Sequence, residues 1–342
     1  MTKEMQKELR KTILPYEKSN MKGSFWQIVN TFVPFFLLWY LAYQSLSVSY
    51  FLTFGLTVIA AGFVIRIFII FHDCCHQSFF NNKNANEVLG TISGIITLFP
   101  FHQWRHSHNV HHATSGNLNK RGVGDIWVMT VKEYEMASFW QRLGYRIYRN
   151  PLVMFGFGPI YLFLITNRFN RKGARKKERM NTYLVNLSIA LLYGLTCWII
   201  GWQNFLLIQG PILFIAGFLG IWLFYVQHHF EDSYFENEEE WDFVKAAIEG
   251  SSFYQLPKWL QWITGNIGYH HVHHLSPRVP NYHLEEIHNH HLPLKSVPTV
   301  TIGKSLRAVK YRLWDEESKQ FVRFDAIKKS TARQKIAQKA LE

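Results

Sequence analysis

Three histidine clusters carry the residue types and spacing that can do chemistry: His72-Asp73-Cys74-Cys75-His76, His108-Asn109-Val110-His111-His112 and His270-His271-Val272-His273-His274. On a helix, residues three and four apart share a face, so each cluster can aim two or three imidazoles in one direction. Together they offer His72, His76, His108, His111, His112, His270, His273 and His274 as inward-facing donors. One ion seldom takes that many protein ligands. Imidazole suits iron, zinc, copper and nickel, so a pair of transition-metal ions sharing these donors is the economical reading. With 17 histidines in 342 residues, composition alone gives an H-x-x-H-H pattern about 0.04 times per chain, and this chain has it twice.

The elements that must position these clusters are read from hydropathy. Residues 25–46 and 50–71 are apolar runs of 22 residues, enough for a helix to cross the hydrocarbon core, and 183–200 and 205–226 form a second such pair. The links Ser47 to Ser49 and Gly201 to Asn204 contain no Lys or Arg, whereas Met1 to Ser24 and the Arg168 to Arg179 run are basic. By the positive-inside rule the basic segments lie in the cytoplasm, two membrane hairpins return the chain there, and all three clusters share that side. His72 directly follows the second span and His228 the fourth. Arg66 is near enough to a helix end to read as a snorkelling anchor. Two apolar stretches, 88–101 and 152–165, have 14 residues each. They are short for a crossing and read as interfacial or re-entrant helices.

The expected fold is therefore all-α: one polytopic membrane domain over 1–342, four spans in two hairpins, and a cytosolic helical cap formed by 72–182 and 227–342. Composition agrees. Hydrophobic residues make up 48% and aromatics 16%, yet mean hydropathy is only −0.07, as expected of a membrane stem with a water-facing cap. The net charge of +13 flanks apolar segments rather than forming a separate arm. It reads as loops near anionic lipid before it reads as nucleic-acid binding. Cys74, Cys75 and Cys197 build no disulfide framework, in line with a reducing cytosolic face, and no cleavable signal peptide is read.

Metal at the mouth of an apolar bundle can serve structure, transport or redox chemistry. Transport needs ligands through the bilayer depth, but these sit at the ends of spans. Structural zinc needs only four ligands, commonly with cysteine; Cys74 and Cys75 point away from the His72–His76 face of a helix and read as packing. All-histidine donors for two ions favour oxygen-activating iron.

The set H-x-x-x-H, H-x-x-H-H, H-x-x-H-H with its membrane hairpins resembles the membrane fatty acid desaturase family over nearly the whole chain. The stretches FHDCCHQSFF (71–80), GVGDIW (122–127), QHHFEDSY (227–234) and GNIGYHHVHHLSP (265–277) are most similar to the Bacillus-type acyl-lipid desaturases that act at carbon 5. The resemblance implies two iron ions on the eight histidines, with a further ligand between the second and third boxes. That ligand is carried over onto His228, with His229 as the rival. It also implies dioxygen as co-substrate and an external electron donor, a ferredoxin or flavodoxin. Met1 to Ser24 is short for a haem module, and no dinucleotide-binding glycine turn is read. The acyl-CoA branch has four residues between its first-box histidines and an Asn one turn before the extra ligand. Here three residues intervene and Phe224 holds the latter position, which favours a membrane phospholipid substrate in the cell membrane. A role in adapting membranes to cold follows. The same boxes occur in related hydroxylases and ketolases, and a metal-ion transporter is the alternative of a different class.

Other polar residues have weaker assignments. Asp73, Asp125, Glu231 and Asp232 are candidates to accept the second ring N–H of metal-bound histidines. His106 and His271 fall off the ligand face. His102, His283, His288, His290 and His291 read as surface or packing residues.

Overall fold

The structure, a computed structural model, describes residues 3–325 and 327. Helix α1 (Lys3–Ile13) lays Leu9 and Ile13 against Val272, Val279 and Leu284. Helix α2 (Met21–Ser45) begins where the Asn20 side chain accepts from the Lys22 and Gly23 amides, satisfying donors that a helix start leaves open. A tight turn leads into α3 (Tyr50–His76), and the Ser45 and Thr53 hydroxyls, 2.8 Å apart, close the hairpin. Its 27 residues reach about 40 Å. No break separates the span from His72 and His76, which ride its last turn.

Helix α4 (Lys83–Thr97) packs along α3; then Leu98 takes a left-handed conformation and Pro100 opens α5 (Phe101–Thr114). The apolar stretch 88–101 is thus the end of α4, a turn and the first residue of α5. Helices α6 (Val131–Met136) and α7 (Phe139–Tyr148) each start with a capping box, Thr130 with Glu133 and Ser138 with Gln141. A π-helical turn at Leu152–Phe157 follows, and then α8 (Gly158–Leu164). The second short stretch therefore belongs to a helix pair bent by 63°, which is either a broken crossing or a re-entrant loop.

The second hairpin is α9 (Lys176–Ile200) and α10 (Trp202–His228). With α2 and α3 these are four helices long and apolar enough to cross a membrane, five if the bent pair counts as one. The chain is a polytopic membrane protein. Helix α3 is its axis, packed on α2, α4 and α10 with Ala60, Ala61, Val64, Ile67 and Ile70 buried. Helix α9 is peripheral: Leu184, Leu187, Leu191, Leu195 and Trp198 recur at helical spacing and all are exposed, the pattern of a lipid-facing stripe.

The remaining cap contains α11 (Phe243–Glu249), α12 (Lys258–Ile263) and α13 (His270–Leu275). It also holds five strands of two or three residues, an addition to the all-α expectation. Phe253–Gln255 pairs in parallel with Thr299–Thr301, while Leu313–Asp315 lies between Met129–Thr130 and Gln320–Val322. These pairings are non-local, and hydrophobic periodicity does not report strands so short. Residues 328–342, where the sequence has modest helical patterning, lie outside the described residues.

One expectation is corrected and one is refined. Arg66 does not snorkel. It is buried, donating to the Trp262 carbonyl and to Thr31 Oγ1 (3.0 Å), with its guanidinium 4.0 Å from the Trp262 ring centre. Helix α12 packs on α3 and brings Trp262, and α2 brings Thr31. The basic 168–179 run, read as lying near anionic lipid, spends part of its charge within the protein. Arg168 donates to Asn186 and the Leu98 carbonyl, Arg171 pairs with Glu178, and Lys177 pairs with Glu87.

Helix α4 approaches α3 and α5 so closely that a Cβ on Gly90 would fall 2.2 Å from the Phe101 ring and 3.1 Å from Cys74 Cβ. Phe101 is fully buried and cannot yield. Gly90→Ala is expected to destabilise the protein by about 1–3 kcal/mol through overpacking. Gly144→Ala, in α7 with open space around it, should be neutral or slightly stabilising. Thermal unfolding in detergent compares the two, and equal behaviour would refute this packing.

Candidate metal centre

Nine histidines converge. The last turn of α3 supplies His72 and His76, α5 supplies His108, His111 and His112, α10 ends on His228, and α13 supplies His270, His273 and His274. They form two groups, His72, His76, His108, His112 and His273 in one and His111, His228, His270 and His274 in the other. Within each group one ring nitrogen per residue lies within 4.8 Å of all the others. The two H-x-x-H-H segments divide alike. Residues i and i+4 (His108 with His112, His270 with His274) enter one group, and residue i+3 (His111, His273) enters the opposite one. Helical geometry explains this. Positions i+3 and i+4 are displaced about 100° from each other, so one turn can serve two ions.

Helix α13 is short and needs a particular approach. Gly265 sits at φ +53°, and a Cβ there would meet Ile69 Cγ2 at 2.7 Å, so the backbone entering the third box passes directly against α3.

The ring nitrogens fit a bound cation. His111 Nδ1 lies 2.5 Å from Asp125 Oδ1 and His228 Nδ1 3.1 Å from the Gly250 carbonyl. Each ring therefore donates outward and leaves Nε2 as a bare lone pair. Yet those two Nε2 atoms face each other at 3.2 Å, and His270 Nε2 is 2.9 Å from His228 Nε2. In the first group His112 Nε2 is 3.0 Å from both His108 Nε2 and His273 Nε2. Opposed lone pairs repel unless a positive ion lies among them. His76 Nε2 and His274 Nε2 are buried without any hydrogen-bond partner among the described residues. Burial, reinforced by the neighbouring rings, holds His108, His112, His270, His273 and His274 well below the usual histidine pKa. They are neutral at physiological pH, the state in which imidazole binds metal.

Around this shell the expected carboxylates divide. Asp73 Oδ1 lies 3.2 Å from His72 Nδ1, and its Oδ2 accepts from the Asn281 backbone and side-chain N–H groups, both at 2.8 Å. Asp125 holds His111. Glu231 and Asp232 do not reach the rings. Glu231 bonds Tyr311, and Asp232 accepts from Gln320, so both fasten the C-terminal hairpin. His229 stands outside both groups, stacked 4.9 Å from Tyr225 and 5.3 Å from Phe321. His271 turns away to His288 Nδ1 (3.1 Å), and burial pushes its pKa down to about 3. His106 joins neither group, and His102 bonds Glu87. The Gly250 carbonyl was not foreseen, since a backbone acceptor leaves no signal in residue type.

A family model described as fatty acid desaturase matches residues 46–299. The chain is 65% identical over 323 residues to a Bacillus subtilis protein named fatty acid desaturase, covering 94% of this chain and 92% of that one. The chain belongs to the fatty acid desaturase family. Similarity extends to the sn-1 acyl-lipid omega-3 desaturase (ferredoxin) of Synechocystis, 30% identical over 64% of this chain and 61% of that one. It extends also to the chloroplastic omega-6 fatty acid desaturase of Arabidopsis thaliana, 28% identical over 65% of this chain. The match spans 49%, about half, of that longer relative. The protein is an oxidoreductase, an acyl-lipid fatty acid desaturase, and metal transport is set aside. Its histidine groups have the donor set of a metal centre.

Asp125 orients His111, so Asp125→Asn is expected to lower metal affinity or activity about 10–100-fold. Asp232→Asn should leave both within about twofold, because among the described residues that carboxylate hydrogen-bonds only Gln320. Metal retention against a chelator, followed by elemental analysis, distinguishes the two; equal retention would remove Asp125 from this role.

Proposed function

We propose that this desaturase uses dioxygen to place a cis double bond at carbon 5 of acyl chains esterified in membrane phospholipids, through a pair of irons. The observation that carries the reading is the division of nine imidazoles, eight of them buried, into two groups, with no carboxylate in either. His72, His76, His108, His112 and His273 would hold one ion, and His111, His228, His270 and His274 the other. Two irons held there would supply dioxygen activation, the chemistry needed to take one hydrogen from each of two adjacent methylenes. The reaction balances as –CH2–CH2–, O2, two protons and two electrons giving –CH=CH– and two waters.

The chain's own residues prepare that chemistry. Asp73, Asp125 and the Gly250 carbonyl fix the ring orientation of His72, His111 and His228. Trp104 stacks 4.2 Å from His108 and, with Phe68, Phe71 and Phe99, forms an aromatic wall beside His72. Phe224 packs on His111 and His228 at 5.2 and 5.3 Å. These apolar walls exclude water and suit an acyl chain, whose burial supplies ~0.8 kcal/mol per CH2.

Carbon 5 is the position that the likeness of the histidine boxes implies. A lipid-bound substrate is supported by the acyl-lipid wording of the Synechocystis relative's name and by a centre at the ends of the spanning helices. The same name supports a ferredoxin, or a flavodoxin in its place, as electron donor. By charge bias the cap faces the cytoplasm of a cell membrane. Unsaturating phospholipid in place would loosen chain packing without new synthesis and so adapt membranes to cold.

Reconstituted protein is expected to hold about two irons per chain, and His111→Ala and His273→Ala, one from each group, to lose iron and activity together. Full activity in either variant would overturn the di-iron assignment. Labelled phospholipid and labelled acyl-CoA are then offered in parallel with the same donor and acyl transfer blocked. Mass analysis should show unsaturated phospholipid with no added oxygen. Unsaturation of the acyl-CoA alone would overturn the lipid substrate, and oxygen in the product would point to a hydroxylase.

A further inference from the structure

The metal centre is closed on nearly every side. Eight of its nine histidines are buried, and only His76 is partly exposed. Over His76 lies an open cleft of about 350 Å³ whose wall includes His112, Arg105, Asn109, Phe243 and Arg278. Neither arginine has an ion pair or a side-chain hydrogen bond among the described residues. Arg278 and Asn109 are solvent-exposed. Of the acidic residues just before Phe243, Glu238 pairs with Lys120, Asp242 caps α11 by accepting from the Lys245 amide, and Glu239 and Glu240 are exposed; none of the four lines the cleft.

Electron transfer weakens steeply with distance, so a carrier must reach the most accessible edge of a buried centre. That edge is His76. Arginine stays charged at every working pH, and its guanidinium is weakly hydrated, which suits it to meet carboxylates at an interface. Two such groups without partners attract an acidic surface and steer its approach. A lipid phosphate is the other anion to weigh, but α3 lines the cleft only with its last two residues, Cys75 and His76, and the rest of the wall is cap. A soluble partner is better placed to enter it.

We propose that this cleft is the electron-entry site, where the acidic face of a small ferredoxin- or flavodoxin-type carrier docks on Arg105 and Arg278 over His76. The inference rests on the external donor of the preceding section. In each docking one electron leaves the carrier, which is oxidised, and enters the metal pair, which is reduced. No bond is made or broken in that step, and two dockings meet the two-electron need of each double bond.

The test uses the full-length iron-loaded enzyme in phosphatidylcholine–phosphatidylglycerol vesicles, driven by reduced ferredoxin or by flavodoxin hydroquinone. Arg105→Glu and Arg278→Glu should each raise the donor KM about tenfold and flatten its salt dependence. Iron content and reduction of the metal by dithionite should match the parent protein. If Arg105→Glu sheds iron, the exposed Arg278→Gln variant decides, with a smaller rise expected in the same donor KM. Donor KM within about twofold of the parent in the iron-loaded variants, or a parent rate indifferent to salt, would overturn the docking site. A raised KM for phospholipid with donor KM unchanged would make the cleft a headgroup site and overturn it equally. A parent enzyme that neither carrier drives would instead remove the external-donor reading, and this proposal with it.

Discussion

The structure depends on gathering nine imidazoles, eight of them buried, at one place. A buried polar atom without a partner costs free energy, about 1–3 kcal/mol per group, and here the opposed Nε2 atoms of His111 and His228 cannot satisfy one another. Rings whose Nδ1 already donates to Asp125 or to the Gly250 carbonyl have only acceptors left to offer. The arrangement is unfavourable by itself and becomes favourable when a cation joins the lone pairs. Much of the cap can be understood as the support that keeps this arrangement from relaxing.

That support runs between distant parts of the chain. Asp73 lies in the first box, yet it accepts from the backbone and side chain of Asn281, just past the third. Asn281 in turn exchanges amide hydrogen bonds with Gln27 of α2, at 3.1 and 3.2 Å. One carboxylate thereby fixes the angle of the His72 ring and ties the start of the bundle to the segment that carries His270, His273 and His274. The histidine boxes are local in sequence, but the geometry between them is set by such non-local contacts.

This distinction explains what the sequence discloses. The four spans are legible because each needs only a long apolar run, and the donors are legible because H-x-x-x-H and H-x-x-H-H are rare. The start of α9 lies upstream of its apolar run because the first turn is held by capping, the Glu178 carboxylate accepting from the Arg175 amide. Hydropathy does not register that. The split of each H-x-x-H-H segment between two groups is equally hidden: the about 100° between i+3 and i+4 permits it, but the residues that complete each group come from other parts of the chain. The places of Arg66, Glu231 and Asp232 are hidden for a related reason. Their partners, Trp262, Tyr311 and Gln320, are far along the chain, and a charged residue beside an apolar run looks the same whether its partner is water or a folded cap.

The second group poses a sharper positional problem than the first. The first draws two residues from α3 and two from α5, with His273 from α13. The second has the pair His270 and His274 from the short α13 but only one residue from α5 and one from α10, and His228 is the terminal residue of its helix, where helices fray. What steadies it is Tyr225, less than one turn earlier. The Tyr225 hydroxyl donates toward the Ala308 and Tyr311 carbonyls, both at 3.1 Å, and accepts from Arg149 Nη2 at 3.2 Å. Arg149 is buried and also reaches the Trp127 and Tyr311 carbonyls, at 3.2 and 3.1 Å. A buried arginine held by oxygens from three segments is expensive to disturb, because removing any partner strands a charge. The C-terminal part of the cap is therefore a clamp on the end of α10. It places His228 opposite His111 and His270 as firmly as a second ligand from the same helix would.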